Sequence, residues 1–434
     1  MTPNRARTGT EAHRGTAAAQ TAARVADLEA RLGDPLDPGN PVGCQALLTA
    51  DEDATLSLEG ELLLDGFDLN SEFVPRALGG RLDRVDTLVR TLRPVFRRDA
   101  ALGLGYGVTS FVGAADLWLA GSAGQQRRAA DVLLQGGRIA YAHRELAHGN
   151  DCVREEFQAH RTTSGFLVRG TKPLMCNAAQ ARLLVVHART AADPAPGSRS
   201  HSVLLLDRDR IDPGTSTLLP GPPMARARAV PVGGLRLDDC LLPPDALVGA
   251  WGAGVAHSLR SLALVRSSVP AMVLGLVDTG LRIAVTTTSA ATAPALGRVE
   301  ELLVAAFTDL LICDSLALVA ARSVNLLPGQ SSVYAAASAY LLPKILSEVM
   351  GDLSAALGDR LQDTGGLAGI FHKHARDLPL TGLGHAGSAA CLATLLPQLP
   401  HLARRSRYAC DPADRKSTRL NSSHYALSRM PSSA

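Results

Sequence analysis

The sequence predicts an α+β protein with an N-terminal helical domain, a small middle β domain and a C-terminal four-helix bundle. Three observations predict it. The apolar residues recur with a helical period up to about residue 140, break into short runs between turn formers to about 250, then return to a helical period. A length of 434 residues suits two or three folding units. The composition, 46% hydrophobic and 20% charged, is globular, while the 4% aromatic content leaves Ala, Leu and Val to fill the core.

Residues 1–20 show no apolar period and are expected to be disordered. The helical domain spans 21–140. Val25, Leu28 and Leu32 mark one helix, and Leu82, Val85, Leu88, Val89, Leu92, Val95 and Phe96 mark another on the 3, 4, 7 spacing. Gly136-Gly137 punctuates its end. In 141–250 the runs Phe166–Val168, Leu183–Val186 and Val203–Leu206 read as strands, separated by turn formers such as Pro194–Gly197. In 251–413 the long helical segments are 255–285, 297–326, 332–357 and 386–404, broken at Pro328-Gly329 and Gly365-Gly366, which suits an antiparallel bundle.

Residues 414–434 are Ser-rich and low in complexity, in a chain that otherwise has the Ala, Gly and Arg bias of a GC-rich gene. They resemble the conceptual translation of a common sequencing adapter. Asp414–His424 and Ser428–Ala434 match its two halves, and Tyr425–Leu427 fill the room of an index between them. This tail is expected to be non-native, with the true C-terminus beyond Ala413.

Composition also excludes function classes. The net charge of +3 comes without a basic block able to track a phosphate backbone, which argues against nucleic-acid binding. The seven cysteines include no CxxC pair, which argues against a zinc site or a disulfide scaffold and for a reducing, cytoplasmic compartment. Arg266, Asp278 and Arg282 interrupt the most apolar stretch, so no membrane span is expected.

Several segments resemble the acyl-CoA dehydrogenase family. They are the W-x-x-G-x-x-x-Q-Q pattern from Trp118, GGRIAYAHRELAHGND (136–151), GFLVRGTKPLMCNAAQARLLVV (165–186), LRLDDCLLPPDALVGAWGAG (235–254), LALVR (262–266) and KHARD (373–377). Their order follows that family's flavin loop, flavin strand, connector, bundle arginine and Arg-Asp pair, and spans most of residues 80–405. The resemblance implies an FAD-dependent oxidoreductase acting on an acyl thioester, carried by CoA or by a carrier protein, in fatty-acid or secondary metabolism, and a homodimer or homotetramer. It places cofactor contacts at Arg144, Glu145, Asn150, Leu174, Met175, Cys176, Gly365 and Gly366, and substrate contacts at Asn150 and Arg266.

The chain departs from the family pattern at several of these positions. Arg144 and Leu146 replace the loop's Thr and Pro, while Leu174 and Cys176 replace the strand's Trp and Thr. Asp151, Lys172 and Asn177 are kept. Where the family has a pyrophosphate arginine, residues 286–289 offer none, and Arg282 or a residue from another segment is the substitute. The family's catalytic Glu is absent as well. Counting from Asp377 puts His385 at its place, aligning on Gly387 puts Ala386 there instead, and the alternative position holds Val265. His385 is thus the candidate base. Two alternatives share the fold: a flavin-dependent oxidase or monooxygenase that needs no such base, and a catalytically silent binding or assembly subunit.

Overall fold

The helical period around Val89 forms α4 (Val85–Arg98), which buries Val85, Leu88, Val89, Leu92, Val95 and Phe96. Leu82, assigned to the same stripe, lies before the helix in a bridge with Pro75. The computed structural model describes residues 5–143, 145, 154–191, 199–288, 296–379 and 387–408. Ahead of α4 come α1 (Arg5–Leu32), α2 (Cys44–Glu52) and α3 (Leu58–Gly66). Behind it come α5 (Ala100–Ala120), which contains a π-helical turn at Gly103–Val108, and α6 (Ala123–Leu134). Ser122 and Gln125 form a capping box on α6, and Gly136, at φ +78, ends that stretch.

Residues 5–20, expected to be disordered, are the first part of α1. The physical reason is backbone propensity. The segment Thr16–Arg24 is mostly alanine, the best helix former, and it needs no apolar stripe to continue a helix that Leu28 and Leu32 anchor in the core.

The middle domain is one sheet of eight strands among the described residues. They are β1 (Ile139–Ala142), β2 (Gln158–Arg161), β3 (Phe166–Cys176), β4 (Leu183–Arg189), β5 (His201–Asp207), β6 (Ser216–Pro220), β7 (Val232–Leu242) and β8 (Leu247–Val248). The order is β6-β7-β3-β2-β4-β5-β8, with β1 parallel to β4. β4 is apolar without alternation because both faces are covered. Leu183 and Val185 join the core shared with the helices, while Leu184, Val186 and Ala188 point into the sheet's own core.

The C-terminal helices are α7 (Gly254–Thr288), α8 (Leu296–Leu326), α9 (Ser331–Leu357), α10 (Gly366–Asp377), α11 (Gly387–Leu395) and α12 (Leu399–Tyr408). α7, α8 and α9 pack pairwise, α11 closes on α9, and α4 lies along α7. The segment 386–404, expected as one helix, is two, separated by a short 3-10 turn holding Pro397. α10 had no apolar signature because its buried positions include Lys373, His374 and Asp377.

By length and composition three helices among the described residues could cross a membrane, which corrects the expectation that none could. The expectation required an unbroken apolar run, whereas helices tolerating one or two charges reach the same mean hydropathy. α5 and α7 bury most of that surface inside the protein; α8 does not, and exposes Val304, Phe307, Leu311 and Ile312.

A buried charge cluster joins the layers. Lys373 on α10 donates to Asp99 Oδ1 at 2.7 Å and Asp377 Oδ2 at 3.3 Å. Arg376 grips Asp51 of α2 with two hydrogen bonds of 2.6 and 2.7 Å and also binds Asp377. Asp377 Oδ1 accepts from the Ala227 N–H, 2.7 Å away, on the loop before β7. Asp99 in turn caps α5 through the Ala101 N–H. Burial opposes charge on Lys373, but Asp99 and Asp377 outweigh it and hold the ammonium above its ordinary pKa. Burial likewise opposes ionisation of Asp377, and Arg376, Lys373 and Ala227 together hold that carboxyl below its ordinary value.

α4 and α7 cross at Gly275, where an added Cβ would stand 2.7 Å from Arg93 O and Arg97 N. At Gly280, five residues on, the same atom meets only side-chain ends, Met350 at 3.2 Å and Leu353 at 3.5 Å. Gly275→Ala should therefore cost about 1–3 kcal/mol through overpacking, although alanine is the better helix former. Gly280→Ala should change stability by less than about 1 kcal/mol. Urea unfolding measures both, and equal effects would contradict this crossing.

Candidate active site at the junction of sheet and bundle

The parity of β4 that sends Leu183 and Val185 toward the helices sends His187 there too. It meets Asp116 of α5, with Nε2 3.4 Å from Asp116 Oδ2, and Ser258 of α7, with Nδ1 3.2 Å from Oγ. The Tyr141 hydroxyl of β1 is 3.2 Å from His187 Nε2. His143 stacks on Tyr141, and its ring meets His187 edge-on, centroids 4.6 Å apart. Ser258 also donates to Gly254 O, as serine commonly does within a helix. Burial, then Asp116 and Glu155, push the Tyr141 hydroxyl well above its ordinary pKa. His201 of β5 borders the same space, its imidazole pushed down to about 4 by burial, then by His187, Lys172 and Arg189. It is therefore neutral near pH 7.

A second buried group stands beside this array. Lys172 of β3 is fully buried, 2.7 Å from Glu155 Oε2 and 3.5 Å from Glu145 Oε1. Glu145 also accepts from the Glu156 and Phe157 N–H groups, at 2.7 and 2.8 Å. Burial raises the Glu155 pKa against the pull of Lys172. Asn177 is also fully buried, at φ +58, and its Nδ2 donates to Gly105 O and Thr109 Oγ1. Lys172 and Asn177, the two residues kept in the flavin-strand pattern, thus hold the β domain together and pin it to α5.

Of the residues assigned to a cofactor, Glu145 is committed to Lys172 and to main-chain donors. Leu174 is half-buried, and Met175 points into the sheet core. Cys176 packs against the small cluster of Ala101, Ala227, Ala229 and Val230, and burial pushes its thiol up to about 11. Gly365 and Gly366 open α10, with Gly366 at φ +53 and nothing within 4 Å of a Cβ built on it. Arg266 is buried on α7, on the helix stripe that also carries Val255, Leu259 and Leu262. Those three residues face His143, Glu155, His187 and His201 across a small cavity. Arg144, Asn150 and His385 lie outside the described residues.

The structure therefore brings the end of β1, β3 and the start of α7 to one junction, while Arg266 lies further along α7 and Gly365–Gly366 open α10. Asp116, Tyr141, His187, His201 and Ser258 were not singled out by sequence. The available signal was His187 itself, a polar residue in phase with Leu183 and Val185 in an otherwise apolar strand. Chemically, the Asp116–His187 pair with the Tyr141 and Ser258 hydroxyls can hold or pass a proton. Among the described residues no group of three His, Cys, Asp or Glu side chains could hold a metal ion.

No family model matches the chain. It is 27% identical over 224 residues to the mitochondrial isovaleryl-CoA dehydrogenase of Oryza sativa subsp. japonica, covering 51% of this chain and 54% of that protein. A probable acyl-CoA dehydrogenase of Mycobacterium tuberculosis is 26% identical over 237 residues, covering 54% of this chain and 59% of its own. The chain thus aligns with little more than half the length of the curated relatives it matches. Among solved structures, butyryl-CoA dehydrogenase from Megasphaera elsdenii superposes with a TM-score of 0.76 at 17% identity, covering 88% of this chain and 97% of that one. A structure of PigA with FAD and proline has the same TM-score, identity and coverage. The three-layer architecture is the acyl-CoA dehydrogenase fold, and over about half its length the chain resembles that family's proteins at low identity.

Proposed function

We propose that the chain is an FAD-dependent oxidoreductase acting on the CH–CH group of an acyl thioester. The observation that carries this reading is the junction itself. The α7 stripe from Val255 to Leu262 lies over the edge of the sheet that presents Tyr141 and His143, so sheet and bundle form opposing walls, as a flavin site between them requires. The relatives are dehydrogenases of acyl-CoA thioesters by name, and PigA was solved with FAD.

The residues present fit the cofactor in two places. The first-turn N–H groups of α10 and the open backbone at Gly365–Gly366 suit an anionic or close-lying group. Arg282, 65% exposed on α7, borders the same crevice as Leu367 of α10 and stands in for the missing pyrophosphate arginine. Half-buried Leu174 offers an apolar surface where the family has Trp. When bound, FAD supplies the hydride acceptor at N5 for a hydride leaving the β-carbon. The chain's own tasks are to seat the thioester beside Arg266, exclude water between the sheet and α7, and take the α-proton. His385 is the assigned base, and the buried Asp116–His187 pair is the second candidate because a carboxylate orients its imidazole.

Two experiments test this reading. The protein should bind FAD and absorb in the visible range, and anaerobic addition of butyryl-CoA should bleach it. His385→Ala should slow bleaching by about two to four orders of magnitude with FAD still bound. A protein that binds no added FAD overturns the reading, and unchanged bleaching in His385→Ala moves the base elsewhere. The proposal includes a homodimer or homotetramer that covers the exposed apolar face of α8. Light scattering should then give a multiple of 45.4 kDa, and Phe307→Glu should lower it. A monomeric wild type contradicts that part.

A further inference from the structure

A small cavity of about 60 Å³ lies inside the sheet–bundle junction, between the end of β1, the segment before β2, strands β4 and β5 and the first turns of α7. One water needs roughly 10–15 Å³, so the cavity admits a group of a few heavy atoms. Its α7 side is apolar apart from Ser258 and consists of Val255, Leu259 and Leu262. Its sheet side is polar and includes Glu155, His187 and His201.

Two buried atoms on the polar side have no hydrogen-bond partner among the described residues, Glu155 Oε1 and His201 Nε2. The two residues are 0% and 3% exposed. The second polar atom of each is taken. Lys172 Nζ stands 2.7 Å from Glu155 Oε2, and His201 Nδ1 lies 2.8 Å from Ser200 Oγ. His187 is engaged with Asp116, Tyr141 and Ser258. A buried polar atom left unpaired is costly, so the chemistry of these two defines what the cavity takes. The Glu155 carboxylate, paired with Lys172, presents Oε1 as an acceptor. The His201 ring is neutral, and with the Ser200 hydroxyl donating to Nδ1 its Nε2–H is a donor. A hydroxyl can serve both, donating to one and accepting from the other. An ammonium has nothing to accept with, and a carboxylate has no proton for Glu155 and is repelled by it.

We infer that Glu155 and His201 recognise a hydroxyl on the acyl chain, and that the substrate class is a short hydroxyacyl thioester. Glu155 Oε1 accepts from the hydroxyl, His201 Nε2 donates to it, and Val255, Leu259 and Leu262 cover the chain. The inference rests on the proposed seating of the thioester beside Arg266. Leu262 is one turn of α7 from Arg266, about 6 Å of helix, a span that a four-carbon acyl group covers.

Calorimetric titration of the full chain with 4-hydroxybutyryl-CoA, pentanoyl-CoA and succinyl-CoA tests it, with anaerobic bleaching of the FAD-loaded protein read in parallel. Pentanoyl-CoA replaces the hydroxyl by a methyl group of similar size. 4-Hydroxybutyryl-CoA should bind about tenfold more tightly or better, because pentanoyl-CoA leaves both buried atoms unpaired. Succinyl-CoA, with a carboxylate at that end, should bind no better than pentanoyl-CoA. His201→Phe should remove the preference by weakening the hydroxyacyl ligand, and the comparison of ligands on the wild type stands whether or not that variant folds. Equal binding of the hydroxyacyl and pentanoyl thioesters would leave the two atoms to water and overturn the inference, as would a preference that survives in His201→Phe. A preference without bleaching by any thioester would overturn the dehydrogenase reading and leave the hydroxyl site standing. Binding of none of the three would overturn both.

Discussion

The contact of Arg376 and Asp377 with Asp51 and the Ala227 N–H is the constraint on which the architecture turns. These residues belong to α10, α2 and the loop before β7, elements from all three parts of the chain. Lys373 extends the contact to Asp99 and so to the start of α5. Buried charges of this kind add little net stability compared with apolar packing, but removing one partner strands the others in a medium that cannot solvate them. The cluster therefore specifies one arrangement of the layers. α5, whose start it fixes, carries Asp116 into the junction with β4 and supplies the Gly105 carbonyl and Thr109 hydroxyl that hold Asn177.

The junction shows the same economy of buried charge. Lys172 pairs with both Glu145 and Glu155 inside the β domain, and His201 beside them is held neutral by burial. The polar character of the junction comes largely from the sheet face, through Tyr141, His143, His187 and His201. It does not come from a carboxylate at the usual positions. The positions kept from the family pattern in β3, Lys172 and Asn177, are the ones that hold structure, whereas Leu174 and Cys176 differ.

Much of the fold was legible in the sequence because its evidence is periodic. The switch from helical period to short runs near Ile139, and back near Gly254, follows directly from which faces are covered. The elements that were misread lack that signal. α10 buries charges in place of an apolar stripe, α1 extends on alanine propensity, and 386–404 is divided at Pro397. The site was less legible for a different reason. A residue such as His187 acquires its role from Asp116 and Ser258, each 71 residues away along the chain, and neither spacing nor composition encodes that meeting. Arg376-Asp377 was singled out correctly as a pair, but its partners Asp51 and Ala227 become visible only in the folded chain.

The most direct test of the interlayer constraint is a double-mutant cycle between Arg376 and Asp51, using Arg376→Gln and Asp51→Asn, followed by urea unfolding of the tail-deleted chain. If the bidentate pair couples α10 to α2 within one buried cluster, the two losses should be non-additive by about 1 kcal/mol or more. Additivity within about 0.5 kcal/mol would show that the two residues stabilise their helices independently, and would contradict the cluster as the constraint that sets the layers.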